Sequence, residues 1–326
     1  MSILLNILIL IVGFVALIKG ADFFVEGSAA VAKKFHIPGV IIGLTIVAMG
    51  TSAPELAVSV SAGLSGSNAL AISNVIGSNI FNLLVVLGVC AILHPVAVEK
   101  GIMKRDFPYS IVITIILGLF SAGYLFTDKS GTLADGVMQT GTIYRWVGLI
   151  LIALFIFYLY LTVRAALQNR EEGEDFGEIS MWKSLLFILG GAAAIVIGGQ
   201  LVVNSAKAIA LFCGMSETLV GLTIVAIGTS LPELVTSIVA SRKGQNGMAV
   251  GNVVGSNIFN ILLILGLSST LHPIPVGMES LIDMAVLLVM SIIVFIFCRS
   301  GKNLGKKEGF IMVLFYVAYT VYAIMR

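Results

Sequence analysis

Charge is the scarcest feature of this 326-residue chain, since only 11% of its residues are Asp, Glu, Lys or Arg while 58% are hydrophobic. Soluble domains carry about 25% charged residues and rarely expose large apolar patches. The three cysteines and three histidines are too few and too scattered for a disulfide scaffold or a zinc centre. A net charge of +2 points to no anionic partner such as nucleic acid. This composition disfavours a soluble enzyme, a nucleic-acid binder and a disordered protein.

Long apolar segments are abundant instead. About 20 apolar residues are needed to cross roughly 30 Å of hydrocarbon, and ten segments are long and apolar enough. They cover residues 3–33, 39–63, 68–93, 107–126, 143–165, 182–211, 217–240, 246–271, 281–299 and 309–325. We therefore predict an all-α integral membrane protein with ten transmembrane helices.

The distribution of basic residues predicts the orientation. With ten spans, most of the 19 Lys and Arg residues fall on one side of the membrane. The exceptions are Lys129, Arg145, Arg326 and, near the end of the sixth span, Lys207. Because Lys and Arg concentrate in cytoplasmic loops, we expect a multi-pass protein of the plasma membrane with both termini extracellular. No obligatory protein partner is evident beyond the bilayer.

An internal repeat divides the chain. Residues 43–62 read GLTIVAMGTSAPELAVSVSA and residues 221–240 read GLTIVAIGTSLPELVTSIVA. The same offset of 178 residues aligns NVIGSNIFNLL at 74–84 with NVVGSNIFNIL at 252–262. Each copy holds five predicted spans, and an odd number forces the second copy to enter the membrane from the opposite side. We predict two inverted five-helix repeats, residues 1–165 and 182–326.

The segment between the repeats, residues 166–181, is acidic. A calcium-sensing role is one interpretation, but the spacing of its acids does not fit an EF-hand loop. We interpret it as a solvated cytoplasmic linker.

Two acids, Glu55 and Glu233, lie well inside predicted spans and are related by the repeat offset. Ionised carboxylates at this depth cost several kcal/mol and are usually functional and paired. No Lys or Arg lies in the two spans that carry these glutamates, 39–63 and 217–240, to serve as the partner. The alternative, two protonated or salt-bridged structural residues, explains the pair less well than a bound cation does.

Each glutamate follows a proline, in GTSAPE at 50–55 and GTSLPE at 228–233. Proline removes a helical N–H and clashes with the carbonyl four residues earlier, so we expect freed carbonyls near these breaks, including those of Ala48 and Ala226. Thr51 and Thr229 lie four residues before the glutamates, on the same helix face.

The second repeated block adds more oxygens, because Ser78 and Asn82 are four residues apart, as are Ser256 and Asn260. Asn79 and Asn257 either join this set or form hydrogen bonds between helices. An all-oxygen site favours hard cations such as Ca²⁺ and Na⁺, whereas zinc and copper prefer His or Cys.

These paired GTSxPE and GSNIFN segments resemble the two α-repeats of the cation/Ca²⁺ antiporter superfamily, and most closely its prokaryotic sodium/calcium exchangers. The resemblance covers nearly the whole chain. It implies that Glu55 and Glu233 form a central calcium site, with Thr51, Thr229 and the carbonyls of Ala48 and Ala226 as further ligands. It also implies sodium sites lined by Ser52, Ser230, Ser78 and Ser256, with Asn82 and Asn260 at the midplane.

Two departures from related families sharpen this expectation. Some relatives carry Asp at the position of Asn260, and potassium-dependent exchangers typically carry Asp in this region. This chain has Asn in both copies, at Asn82 and Asn260, which argues against potassium dependence. Proton/calcium exchangers typically carry a further glutamate just after a Gly-Asn pair, and here it is absent. The sequence therefore predicts an antiporter of Ca²⁺ and Na⁺, with no cofactor.

The alternatives are a proton/calcium antiporter using the same glutamates, a passive cation channel, and an intramembrane enzyme. An enzyme is the poorest of these, because no mid-membrane His or Lys is present to activate a nucleophile.

Overall fold

The computed structural model describes residues 3–64, 68–127, 131–133, 136–168, 180–215, 226–300 and 303–325. Helices dominate these ranges. In the first half they are α1 (Ile3–Phe35), α2 (Gly39–Thr51), α3 (Ala53–Leu64), α4 (residues 68–93), α5 (Phe107–Ser121) and α6 (Arg145–Gln168). In the second half they are α7 (Met181–Phe212), α8 (Ala226–Thr229), α9 (Leu231–Arg242), α10 (Asn246–Leu271), α11 (Met278–Ser300) and α12 (Lys306–Met325).

Seven of the described helices are long and apolar enough to cross a membrane, and an eighth span results if α2 and α3, bent by 50° at their junction, count as one. Of the remaining predicted spans, the fourth consists of the 15-residue α5 preceded by the π-helical turn Ile102–Asp106. The seventh, residues 217–240, overlaps residues that lie outside the described ranges. The predicted all-α membrane fold is confirmed, and ten spans are consistent with these helices.

Helices α1 and α7 pack against each other along most of their length. A Cβ placed on Gly13 would lie 3.0 Å from the carbonyl oxygen of Gly198, and one on Gly20 would lie 2.9 Å from that of Gly191. The repeat offset relates Gly13 to Gly191 and Gly20 to Gly198, so the two contacts exchange equivalent positions. Small residues let membrane helices approach this closely, and the pair is held by backbone-to-backbone contact.

Helices α4 and α10 occupy the centre of the protein. Every residue of α10 from Met248 to Phe259 is buried. Close packing of α10 on α2 requires glycine, because a Cβ on Gly255 would lie 2.7 Å from the Cα of Leu44. Both central helices contain a π-helical turn at the same repeat position, Asn82–Val86 and Asn260–Ile264.

A small antiparallel sheet joins the two halves at one end of the helices. Its strands are β1 (Gly131–Thr132), β2 (Met138–Ile143) and β3 (Ile274–Gly277), in the order β1-β2-β3. Ile143 pairs with Ile274. The residue related to Ile274 by the repeat offset, Val96, forms an isolated bridge with Leu304. Each half therefore contributes one strand segment to the other, a link that the hydropathy pattern did not predict.

The described ranges include only the two ends of the predicted linker, residues 166–168 and 180–181. Helix α6 continues through Gln168 and therefore covers the first residues of segment 166–181. Residues 169–179, which carry the acidic cluster, lie outside the described ranges.

Candidate functional site

The two glutamate helices are interrupted at equivalent serines. Ser52 (φ −84°, ψ 12°) separates α2 from α3, and Ser230 (φ −92°, ψ 6°) separates α8 from α9. These angles belong to the bridge region, where active-site residues are often found. Each break lies two residues before the proline that removes a helical N–H, so Glu55 and Glu233 both occupy the first turn of the new helix.

Both carboxylates are completely buried, with 0% exposure of either glutamate. Their ion-pair partners cannot be basic residues in the described part of the chain. Ion pairs in the described ranges join Arg105 to Asp106, and Lys243 to Asp22 and Glu26, and none of these involves Glu55 or Glu233. The site therefore has an uncompensated negative charge when both glutamates are ionised, which agrees with the sequence-based expectation of a cationic ligand.

Serines at the breaks donate hydrogen bonds across the repeat boundary. The Ser52 hydroxyl donates to Oε1 of Glu233 at 2.7 Å, and the Ser230 hydroxyl lies 3.2 Å from Oε1 of Glu55. Each half thus supplies the hydroxyl that solvates the carboxylate of the other half. This exchange brings the two breaks to one place, although their serines are 178 residues apart in sequence.

The hydroxyls around Glu55 are not the repeat equivalents of those around Glu233 at every position. Ser78 lies 3.3 Å from Oε1 of Glu55, and the hydroxyls of Ser230 and Ser78 are 2.9 Å apart. The hydroxyl of Ser256, the repeat equivalent of Ser78, is buried and has no hydrogen-bond partner among the residues that the structure describes. The chemical equivalence of the repeats is therefore broken at this serine pair.

Asparagines of α4 and α10 join the repeats directly. The Asn79 amide donates to the carbonyl oxygen of Asn257 at 3.1 Å, and the Asn257 amide donates to that of Asn79 at 3.2 Å. Of the two interpretations given to these residues, hydrogen bonding between helices is the one observed. Asn260 donates to the Ser78 hydroxyl at 3.3 Å and to Oδ1 of Asn79 at 3.0 Å.

Several buried polar atoms of the predicted site have no hydrogen-bond partner in the described residues. They are Oε2 of Glu55 and Glu233, Oγ of Ser256, Oδ1 of Asn260, and both Oδ1 and Nδ2 of Asn82. A buried polar atom without a partner costs about 1–3 kcal/mol, and native proteins tolerate few of them. Their concentration beside two carboxylates is the arrangement expected of oxygens that bind a cation.

Thr51 and Ala48, also predicted ligands, are both buried. The Thr51 hydroxyl lies 3.0 Å from Oδ1 of Asn252 and 3.4 Å from the carbonyl oxygen of Ala48. That carbonyl also accepts the backbone N–H of Ser52 at 3.0 Å, so only its second lone pair can serve an ion. In the second half, the backbone N–H of Ser230 donates a hydrogen bond to the carbonyl oxygen of Ile227 at 3.1 Å. Ala226 and Thr229 are the two ends of α8.

The structure adds an asparagine pair that the sequence reasoning did not select. The Asn74 amide lies 3.0 Å from the Ser59 hydroxyl and 3.4 Å from the Glu55 carbonyl oxygen. The repeat-equivalent Asn252 makes the same two contacts, to the Ser237 hydroxyl at 2.9 Å and to the Glu233 carbonyl oxygen at 3.4 Å. Both asparagines belong to the repeated block, four residues before Ser78 and Ser256, so the repeat offset was the available signal.

The site thus consists of carboxylate, hydroxyl, amide and carbonyl oxygens held between broken helices. Ca²⁺ and Na⁺ are hard cations that prefer such oxygens. Hydrogen bonds join Ser52 to Glu233 and, in a second group, link Ser230, Ser78 and Asn260 around Glu55. Asn82 and Ser256 are buried with no such bond to any described residue.

Comparison with known proteins gives matches along nearly the whole chain. The family model of the sodium/calcium exchanger protein matches residues 5–164 and 183–325. The sodium/calcium exchanger MaX1 of Methanosarcina acetivorans is 35% identical, over 97% of each chain. The inner membrane protein YrbG of Escherichia coli strain K12 is 34% identical, over 95% of this chain and 94% of its own.

A solved structure shares the fold. It is the sodium-calcium exchanger NCX_Mj soaked with zero Na⁺ and Ca²⁺, with a TM-score of 0.82, 31% identity and coverage of 100% of both chains. The similarity extends across both predicted halves.

Proposed function

The chain belongs to the sodium/calcium exchanger protein family, and we propose that it extrudes Ca²⁺ from the cytoplasm in exchange for external Na⁺. It is a membrane transporter and not an enzyme. The observation that carries the proposal is a pair of fully buried carboxylates, each with one oxygen that accepts no hydrogen bond from the described part of the chain.

Charge balance explains how such a site couples two ions. One Ca²⁺ neutralises the two carboxylates, and so do sodium ions at overlapping positions. Leaving both charges uncompensated in a low-dielectric interior costs several kcal/mol per ion. Occupied states therefore change conformation more readily than the empty state. Because Ca²⁺ and Na⁺ compete for the same oxygens, transport of one ion in one direction is then coupled to transport of the other in the opposite direction.

We assign the central calcium position to Glu55 and Glu233, with Thr51, Thr229 and the carbonyls of Ala48 and Ala226 as additional ligands. The flanking positions for sodium use the remaining predicted oxygens, which are Ser52, Ser230, Ser78, Ser256, Asn82 and Asn260. Support comes from the cross-repeat bonds of Ser52 and Ser230, and from the unpartnered oxygens of Asn260 and Ser256.

Alternating access is the proposed transport mode, with α1 and α7 sliding against the other helices. In support, Phe24 of α1 packs against Gly50, and Val203 of α7 packs against Gly228, so this pair covers the backbone beside each break. Cysteine cross-links that trap α1 at two different heights relative to α2 test this motion. If exchange continues at the wild-type rate in each of the two cross-linked variants, the sliding mechanism is wrong.

The two halves, residues 1–165 and 182–326, are proposed to be inverted repeats, with both termini extracellular. The exchange of equivalent contacts between Gly13 and Gly198, and between Gly20 and Gly191, supports a two-fold relation. Labelling of a cysteine introduced at either terminus by an impermeant reagent, from outside intact cells, tests the orientation. Labelling only after permeabilisation contradicts it.

The decisive experiment is uptake of ⁴⁵Ca²⁺ into proteoliposomes loaded with Na⁺, in potassium-free buffer and with the pH gradient collapsed. We expect uptake that depends on the outward Na⁺ gradient. Uptake driven by a pH gradient with no response to Na⁺ would establish the proton/calcium antiporter instead. Calcium flux that needs no counter-ion would indicate a channel.

A further inference from the structure

Asn252 of α10 contacts both halves of the site. It is completely buried, and its side chain reaches Thr51 of the first half as well as Ser237 and the Glu233 backbone of the second. Hydrogen bonds involving Thr51 and Glu233 therefore converge on one amide, which none of the predicted ligand sets includes.

The orientation of this amide is determined by its partners. The carbonyl oxygen of Glu233 can only accept a hydrogen bond, and it lies 3.4 Å from the Nδ2 side of Asn252. This contact is long, but the opposite amide orientation would place two acceptor oxygens against each other. The Ser237 hydroxyl is 2.9 Å from the same nitrogen. Oδ1 of Asn252 therefore faces Thr51, at 3.0 Å, and accepts from its hydroxyl.

This contact determines where the single hydroxyl proton of Thr51 points. Its other neighbouring acceptors are the Ala48 carbonyl oxygen and the Glu233 carboxylate. The Ala48 oxygen is 3.4 Å away, beyond the usual O–H···O range of about 2.5–3.0 Å, and Oε2 of Glu233 accepts no hydrogen bond from the described residues. The proton thus lies toward Asn252. A hydroxyl has two lone pairs besides its proton, so both remain available on the sides of Thr51 that do not face Asn252.

We propose that Asn252 is a positioning residue for cation binding: its side-chain carbonyl accepts the Thr51 hydroxyl proton and leaves the Thr51 lone pairs to the transported ion. This inference rests on the proposed function, because it takes Thr51 as an ion ligand. It assigns Asn252 no direct contact with the ion. It also gives the second half a means of preparing a ligand that belongs to the first half.

The test is a double-mutant cycle on the Na⁺ and Ca²⁺ concentrations that half-saturate binding and exchange. Thr51→Val removes the hydroxyl, and we expect a roughly 10-fold loss of affinity, the size of one hydrogen-bond-like contact to a charge. Asn252→Leu keeps the side-chain size but leaves the Thr51 proton free to rotate, so the loss should be about 3-fold, within the range of one neutral hydrogen bond. The double variant should equal Thr51→Val alone, since Asn252 acts through Thr51.

Ser237→Ala provides the matched control, because it removes the hydroxyl that accepts a hydrogen bond from Nδ2 of Asn252 and leaves the Thr51 contact in place. A purely structural role predicts the opposite pattern. In that case Asn252→Leu multiplies the effect of Thr51→Val, to about 30-fold for independent sites, and adds nothing to Ser237→Ala. That pattern overturns the proposal. If Asn252→Leu does not fold, as judged by gel filtration and thermal unfolding in detergent, Asn252→Ala replaces it in the same cycle.

Equilibrium ⁴⁵Ca²⁺ binding to the purified protein separates this inference from the function on which it rests. Binding without Na⁺-dependent exchange in the wild type refutes the proposed antiport, and the cycle can still be read from binding. Exchange in the wild type together with additive effects in the cycle refutes only the role of Asn252.

Discussion

Replacing Glu233 with glutamine tests the central site because the structure predicts how the new amide will turn. The Ser52 hydroxyl donates to Oε1 of Glu233 at 2.7 Å, whereas Oε2 has no hydrogen-bond partner within the ranges that the structure describes. A glutamine oxygen can keep the bond to Ser52, and a glutamine nitrogen cannot accept it. The –NH₂ group of Glu233→Gln will therefore replace the unpartnered oxygen and present two donors to the cation.

The size of the effect follows from the loss of charge. Removing one partner of a buried ion pair costs about 3–5 kcal/mol, and each 1.4 kcal/mol is a factor of ten in affinity. We expect Ca²⁺ affinity to fall by roughly two to three and a half powers of ten. In Glu233→Gln, Ser52 holds the amide oxygen and so keeps the –NH₂ group toward the ion. Adding Ser52→Ala removes this restraint, so it should not weaken Ca²⁺ binding further.

Calorimetric Ca²⁺ titration of purified protein and Na⁺-dependent ⁴⁵Ca²⁺ uptake measure this effect independently. Glu26→Gln is the matched control, because Glu26 is a half-exposed glutamate of α1 whose Lys243 partner is 3.8 Å away. It makes the same chemical change outside the site and should leave Ca²⁺ affinity near the wild-type value. A Ca²⁺ affinity of Glu233→Gln within threefold of wild type would refute the assignment of Glu233 to the central site.

Two further substitutions test contacts between helices outside the site. Gly20→Ala places a methyl group 2.9 Å from the backbone of the facing helix α7, so we expect overpacking to cost about 1–3 kcal/mol and to slow exchange. Gly190→Ala is the control, because its added methyl group has nothing within 4 Å, and it should change neither stability nor exchange. Equal melting temperatures for the two variants would contradict the close approach. Tyr158→Phe removes a hydroxyl 3.2 Å from buried Asp106, and should lower stability by about 1–3 kcal/mol in thermal unfolding, while exposed Tyr160→Phe should not.

The chemistry of the site could be predicted from sequence to a large extent. Glu55 and Glu233 stand out because they are the acids well inside predicted spans with no basic partner, and the offset of 178 residues shows that they are equivalent. Ser78 and Asn260 were predicted from their repeated helical spacing, and the structure connects both to Glu55 through hydrogen bonds or shared partners.

Other features of the site depend on how distant segments pack. No local pattern reveals that Ser52 serves Glu233 and not the nearer Glu55, because that contact joins helices 181 residues apart. The same holds for Asn252, whose partner Thr51 is 201 residues away. The π-helical turns that begin at Asn82 and Asn260 also went unpredicted, since hydropathy does not distinguish a π turn from an α turn.

By itself, the sequence indicated a membrane protein, contained the internal repeat and predicted a set of oxygen ligands. Each depends on residue type and spacing along the chain, as with two acids in apolar segments that lack cationic neighbours. Only the tertiary structure decided which hydroxyl meets which carboxylate, which buried oxygens remain without partners, and which amide orients Thr51. Those relations depend on the close approach of the two halves, where contacts within about 3 Å are set by packing between residues that have no proximity in sequence.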